Sequence, residues 1–444
     1  MVDTNDVNTA SWYVAAGALL DLFAAEGART FAAEMQVEIR NLNKMYCDSS
    51  RPLPQDGTLL AALAQIERPI FDAVSSLLGD AWSSIAYHMR VGRMDRDGLQ
   101  KPTVIVFCYP GATCIFERAE DQIMQVLNQT PVQIYLEFLA GQISPADEGA
   151  MYLQNITLKP SNGASIGIKG NTDKVGTLGG WVVLNLPKEN RMVRCALTCY
   201  HVIRASDDNT TDHTDAHGIR RDDPRGQVEI EYPGALDAKH TMISINDFLQ
   251  KGHSDRIKSQ QAILSSRTSG PGIGRVIYAS GNQIKNGQRL DWALIESPDT
   301  FSPNRPPSAS TFESSPFRVP SDTYYSQNAD SKVRVFGRAK KGDWVTKRGR
   351  TTKVTSGTVN RMYRRVQWPS GQTTVEIELM SPWGDIVAPG DSGSIVTNAQ
   401  GELVGMIFGK DPDAREFNIG IMTPIASIQQ HVKEMTNGGF LSLD

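Results

Sequence analysis

Cysteine is scarce and offers no pattern: there are five in 444 residues, and none falls in a C-x-x-C spacing. An odd number cannot all pair within one chain, so neither a disulfide framework nor a zinc knuckle is indicated, and reduced thiols are expected. Long hydrophobic runs are missing too. The most apolar stretch, Trp12 to Ala25, is broken by Asp21 and falls short of the roughly 20 apolar residues that cross a bilayer. It reads as an amphipathic core helix. The first ten residues carry acid but no base, the wrong sign for a secretory or mitochondrial leader, which points to the cytoplasm. Neither sign of charge is in excess. Lys plus Arg number 45 against 49 Asp plus Glu, a net of −4, so no bulk field recommends nucleic acid or a membrane as partner.

What is present is an ordinary globular composition, 40% hydrophobic and 21% charged, long enough for about three domains. In the first 150 residues helix alternates with strand. Leu59, Leu63, Ile66, Ile70, Val74 and Leu77 recur at helical spacing, with Pro69 expected to kink or split the helix. Thr103–Cys108, a helix over 117–128 and Val132–Leu139 then form a βαβ-like unit, so an α/β accessory domain is expected over 1–150. His88 and Cys108 within it read as ordinary packed or surface residues. From Ser161 the texture changes to short β-rich runs, WVVLNL at 181–186, VRCALT at 193–198 and WALIE at 292–296 among them. A Pro/Ser-rich connector spans 301–330, and strands resume over 331–444, closing with a helix whose face is Ile425, Ile428, Val432 and Met435.

The most informative residues are Gly390-Asp391-Ser392-Gly393. A serine between glycines on a tight loop exposes its hydroxyl while neighbouring amides, those of Gly390 and Ser392, converge on one point as an oxyanion requires. The bland alternative is a turn made of turn formers. A serine hydroxyl needs a base, and Thr198-Cys199-Tyr200-His201 supplies a histidine directly after a strand. Asp291 opens an apolar strand and is the candidate for orienting that histidine; Asp207 and Asp208 also follow His201, but neither opens such a strand.

The order His201, Asp291, Ser392 resembles the trypsin/chymotrypsin-like serine proteases, and the wording TCYHV, DWALIE and Gly349-Arg-Thr-Thr352 is similar to their intracellular, HtrA-like and fungal or plant branches. The resemblance covers about residues 161–430. It implies a mainly β fold of two six-stranded barrels, the first over 161–300 carrying His201 and Asp291, the second over 331–444 carrying Ser392. It also implies a serine endopeptidase acting on protein or peptide substrates without cofactor or metal. By its alignment Ile386 and Val387 lie at the base of the specificity pocket, opposite Phe408, Gly409 and Gly420. No acid stands there, so cleavage after uncharged or apolar residues is expected.

The sequence departs from secreted relatives in three ways. No cysteine follows the histidine, and 90 positions separate His201 from Asp291, so the first barrel carries an insertion over about 205–287. His213 and His217 within it lack a third ligand and read as part of a solvated loop. No Ile-Val-Gly-Gly start precedes the first barrel, so Asp391 must be satisfied by backbone donors or a nearby Lys or Arg instead of a new N-terminus. The basic clusters at 338–341, 347–350 and 361–365 read as solvated turns rather than a nucleic-acid footprint. Two alternatives to a protease stay open: an inert protease-fold scaffold, and an esterase using the same acyl chemistry.

Overall fold

The computed structural model describes residues 2–4, 11–25, 37, 39–41, 49–91, 99–145, 156–205, 208–251, 255–298, 303–307, 332–381, 384–411 and 419–443. Most of the connector over 301–330 lies outside them. The described residues fall into two compact units. One comprises Met1–Ile143, Asn360–Val375 and Asp411–Phe417; the other comprises Ser144–Val359, Glu376–Lys410 and Asn418–Asp444.

The first unit is α/β. Helix α1 (Gly57–Leu78) starts where the Asp56 carboxylate accepts from the amides of Thr58 and Leu59 at 2.9 and 3.1 Å, and it stops at Gly79, whose φ is 54°. Pro69 neither splits nor ends it. The buried stripe Leu59, Leu63, Ile66, Ile70, Val74 and Leu78 holds both halves to one sheet, and this outweighs the one backbone hydrogen bond a proline removes. Strands β1 (Trp82–Val91) and β2 (Lys101–Cys108) pair antiparallel; helix α2 (Phe116–Leu127) then returns the chain to β3 (Tyr135–Ala140), which runs parallel to β2. The strand Arg364–Gln367 adds to the other edge of β1. Of the two readings open for His88 and Cys108, packed or surface, both are packed: each is buried. The helix Trp12–Ala25 forms, but Val14 and Leu22 on it are exposed, so it is not the core helix expected.

The second unit carries the β-rich half. Strands β4 (Ser165–Ile168), β5 (Gly180–Leu186) and β6 (Arg191–Thr198) come first. A one-turn helix α3 (Tyr200–Ile203) and helix α4 (Asp208–His217) follow, then β7 (Glu229–Glu231), the helices α5 (Ala235–Gln250) and α6 (Asp255–Ser269), β8 (Gly274–Ala279) and β9 (Ala293–Glu296). The six strands join in the order β5-β6-β9-β8-β7-β4. Strands β10 (Trp344–Gly349), β11 (Lys353–Val359), β12 (Thr373–Met380), β13 (Ile395–Asn398), β14 (Leu403–Lys410) and β15 (Ile419–Pro424) form the second set, in the order β11-β10-β13-β14-β15-β12. Thr358 and Val359 of β11 also pair with Met380 and Leu379 of β12, which closes this set into a barrel. The fold is thus mainly β, with two six-stranded sets, the second a closed barrel, and an α/β unit drawn mostly from residues before them in the chain. Helix α7 (Ile425–Met435) buries Ile425, Ile428, Val432 and Met435, and Asn437 and Gly438 end it at positive φ. None of Cys108, Cys114, Cys195 and Cys199 is in a disulfide.

Two expectations are overturned here. The segment 208–217 is a helix, not a loop. Its polar composition is a poor helix former, but the Tyr200 hydroxyl bonds Thr214 Oγ1 and Asp215 Oδ1, both at 2.8 Å, and Arg204 Nε reaches Asp215 at 2.9 Å, so tertiary contacts override local preference. The basic clusters are not solvated turns throughout. Lys347, Arg350 and Arg364 are among the largest fully buried side chains, each held by a carboxylate, Arg364 by Asp411 at 2.8 Å.

Candidate active site

Strand register brings His201 and Asp291 together. In the antiparallel pair β6–β9, Thr198 stands opposite Ala293, so the residues just past the end of β6 meet those just ahead of β9. The Asp291 carboxylate takes both interactions this allows. Its Oδ2 is 2.7 Å from His201 Nδ1, and its Oδ1 accepts from the His201 amide at 3.1 Å. Both side chains are buried. Burial alone would raise the Asp291 carboxyl, yet the His201 charge and hydrogen bonds outweigh it and hold the group below its ordinary 3.8. A carboxylate on Nδ1 fixes the tautomer that leaves Nε2 as the acceptor. That Nε2 is itself buried and has no hydrogen-bond partner among the described residues.

Next to Asp291, the indole of Trp292 is fully buried and its Nε1 donates to His431 Nδ1 on α7 at 3.2 Å. Only a neutral imidazole can accept there. Burial, with Lys285 and Arg220 nearby, pulls His431 down to about 4, which keeps the acceptor available at neutral pH.

Ser392 sits in the turn that enters β13. Gly390 and Gly393 have φ of 95° and 96°, and a Cβ at Gly393 would fall on the Thr177 carbonyl and the Thr198 hydroxyl, so the loop lies against the end of β6. The Ile407 carbonyl links the two halves, accepting from the Gly393 amide at 2.9 Å and from Cys199 Sγ at 3.1 Å, two residues before His201. The Ser392 hydroxyl donates to the Phe408 carbonyl at 3.3 Å and is fully buried. It is not bonded to His201 Nε2.

The acid before the serine is fully satisfied without a new N-terminus. Asp391 accepts from Lys347 Nζ and Thr352 Oγ1, both at 2.7 Å, and from the amides of Thr351, Thr352 and Ala388 at 2.8, 3.2 and 3.1 Å. Burial would raise its carboxyl; the Lys347 charge and these hydrogen bonds hold it below the ordinary range. Replacing Lys347 by methionine leaves a buried carboxylate unpaired, and about 3–5 kcal/mol of stability should be lost at neutral pH. The sign of the pH effect follows. In that variant burial is opposed only by the remaining hydrogen bonds, Asp391 takes up a proton more readily, and the difference from wild type should shrink as pH falls. Urea denaturation at two pH values checks both statements.

The expected pocket residues converge only in part. Val387 Cγ2 would lie 2.5 Å from a Cβ at Gly420, so that glycine's room is filled by Val387 rather than left open, and Gly409 and Lys410 pair with Ile421 and Gly420. Ile386 turns the other way, its Cδ1 2.6 Å from where a Cβ of Gly357 would be. Phe408 contributes the carbonyl that holds Ser392. Asp385, one residue ahead of Ile386, is largely exposed; its partial burial raises its carboxyl while Lys410 works against the shift. Among the described residues one group of three, Cys199, His201 and Asp291, has potential ligand atoms within 4.8 Å of one another, but its imidazole and carboxylate are already bonded to each other. Asp207 and the side chain of Asp208 lie outside the described residues.

Sequence reasoning missed Asp237 and Arg350. Arg350 Nε donates to Asp237 Oδ2 at 2.5 Å, Arg350 Nη2 donates to Asp237 Oδ1, and both side chains are buried. No local pattern marks this pair, since 113 positions separate its members.

No helix among the described residues is long and apolar enough to cross a membrane. Among curated protein sequences none matches the chain. Solved structures that resemble it include a glutamic acid-specific serine protease that uses a histidine triad in substrate binding (15% identity, TM-score 0.34, 64% of this chain and 100% of that one). Thermobifida fusca protease A is similar at 15% identity and TM-score 0.33, with 64% and 98% covered. Cellulomonas bogoriensis chymotrypsin is similar at 15% and 0.32, with 64% and 97% covered. The profile of peptidase family S64 matches residues 152–439, which takes in both barrels, the Asp291–His201 pair and the Ser392 loop, and the chain belongs to that family and is a serine protease.

Proposed function

We propose that the protein is an endopeptidase in which Ser392 is the nucleophile, His201 the general base and acid, and Asp291 the orienting carboxylate. The observation that carries this is the buried Nε2, without a partner among the described residues, of a histidine whose Nδ1 is held by a buried carboxylate, beside a glycine-flanked serine loop. Ser392 Oγ adds to the scissile carbonyl while His201 takes its proton; the Gly390 and Ser392 amides carry the oxyanion. His201 then returns the proton to the leaving amine, and water repeats the sequence to release the acyl group.

Substrate enters extended along β14. At the end of β14 beyond its pairing with β13, Pro145 stands opposite Gly409 and Ser144 opposite Lys410 in antiparallel register, so a substrate strand takes the place of that segment. Val387, Phe408 and the glycines at 409 and 420 make an apolar wall, so an uncharged, apolar side chain is preferred before the cut, and a Lys or Arg there would leave its charge unpaired. The reading places the protein in the cytoplasm, acting without metal or cofactor.

The test is fluorophosphonate labelling of the full chain, with the modified residue mapped by mass spectrometry, followed by a panel of peptides differing at the residue before the cut. Label on Ser392 and faster cleavage after Leu, Met or Phe than after Arg or Lys are expected. Absence of label would favour an inert scaffold, and label with hydrolysis of esters but not peptides would favour an esterase. Faster cleavage after Arg or Lys would overturn the apolar pocket alone.

A further inference from the structure

The insertion in the first barrel reaches the loop of the nucleophile through one buried ion pair. Asp237 lies in the first turn of α5, and its side chain is fully buried. The carboxylate accepts from Arg350 as above and from Ser165 Oγ at 2.6 Å, and Ser165 in turn accepts from the Gly234 amide at 3.3 Å at the start of the helix. Arg350 stands in the turn that ends β10. Its Nη1 donates to Thr351 Oγ1 at 3.0 Å, which donates to the Pro389 carbonyl at 2.6 Å. The guanidinium also lies so close to Gly390 that a Cβ there would overlap Nη1.

Backbone contacts carry the same link further. The Arg350 amide donates to Thr177 Oγ1 at 3.0 Å, Thr177 Oγ1 donates to the Gly390 carbonyl at 2.7 Å, and the Thr177 amide donates to the Ser392 carbonyl at 2.8 Å. The amides of Thr351 and Thr352, the next residues of that turn, hold Asp391. The turn 350–352 thus grips positions 389 to 391 from one side, and Asp237 grips the turn from the other. A guanidinium in so dry a place stays only while a carboxylate is bonded to it.

We propose that Asp237, supplied by the insertion, is a positioning residue for the oxyanion-binding loop, acting through Arg350 to hold the Gly390 and Ser392 amides in their converging arrangement. This rests on the endopeptidase reading. Asp237 touches neither substrate nor the reacting serine, so its loss leaves substrate docking along β14 intact and weakens only what binds the charge that develops in the transition state. The insertion is then a working part of the protease, and movement of α5 is coupled to catalytic competence.

The experiment compares the full-length wild type with Asp237→Asn and with the double variant Asp237→Leu/Arg350→Met, which buries no charge and guards against simple misfolding. For each, kcat, KM, the affinity for a peptide boronate and the thermal midpoint are measured. Asp237→Asn is expected to lower kcat and boronate affinity in parallel by about 10²-fold, the size of losing one oxyanion donor, with KM within about twofold. The double variant is expected to regain the thermal midpoint but not kcat. Two results would overturn the inference alone: an unchanged kcat in folded Asp237→Asn, or a double variant that recovers kcat along with stability. A wild type that neither labels nor cleaves would overturn the endopeptidase reading and this inference with it.

Discussion

Ser392→Ala is expected to lower kcat by about 10⁶-fold and to abolish fluorophosphonate labelling, while the protein stays folded. The size follows from chemistry rather than from packing. In the proposed mechanism there is no acyl-enzyme without Oγ, and His201 has no proton to move, so base and orienter lose their function together. What remains is the binding surface and the oxyanion amides acting on a water, worth about 10³–10⁴ over the uncatalysed rate. The folded state should tolerate the change because the 3.3 Å bond from Oγ to the Phe408 carbonyl is a long one whose net contribution is small. Steady-state hydrolysis of an apolar peptide, alongside the thermal midpoint, checks it. Retention of more than a hundredth of the wild-type kcat would remove Ser392 from the nucleophile's role.

Asp291→Asn should cost about 10⁴-fold in kcat, nearly as much, by a different route. An amide in place of the carboxylate is close in shape, but it no longer accepts on both oxygens. One end of the amide is now a donor, so Nδ1 is driven to the acceptor tautomer and Nε2 carries the proton, which leaves it unable to take one from Ser392. The folded protein should survive, since a neutral amide in that site carries less desolvation cost than an unpaired charge. In the wild type the carboxyl lies below 3.8, so its contribution to stability is present above that value and is lost as pH falls further, through the folded value. A pH–rate profile should accordingly show no Asp291 inflection above about pH 4. A loss under tenfold for Asp291→Asn would point to another carboxylate as orienter.

The two substitutions separate chemistry from orientation because they act on opposite sides of one imidazole. Lys347→Met probes a third element, the fixed anchor of the loop. Lys347 and Asp391 form an internal pair in the folded chain, so the support that secreted relatives obtain from a freshly cut N-terminus is here a strand residue.

The sequence by itself determined the features that depend on near neighbours. Positions 425, 428, 432 and 435 must share a helix face whatever surrounds them, and α7 buries all four. Gly390 and Gly393 require positive φ for a turn this tight, so the Ser392 loop was legible as a motif. His201 after one strand and Asp291 before another were legible for the same reason, as ends of apolar runs. Tertiary structure decided the rest. That Lys347 is buried is hinted at by period two, which sets it on the face of Val345 and Gly349, but the partner that makes burial tolerable stands 44 positions away. Composition around 208–217 argued for a loop, and only the contacts of Tyr200 and Arg204 made it a helix. Arg350 and Asp237 look like surface residues in the sequence because charge is costly to bury, and nothing local shows that the fold will bring two opposite charges to one dry place. Local preference acts over a few residues; the pairing of buried charges is fixed by strand order and register, which only the assembled chain determines.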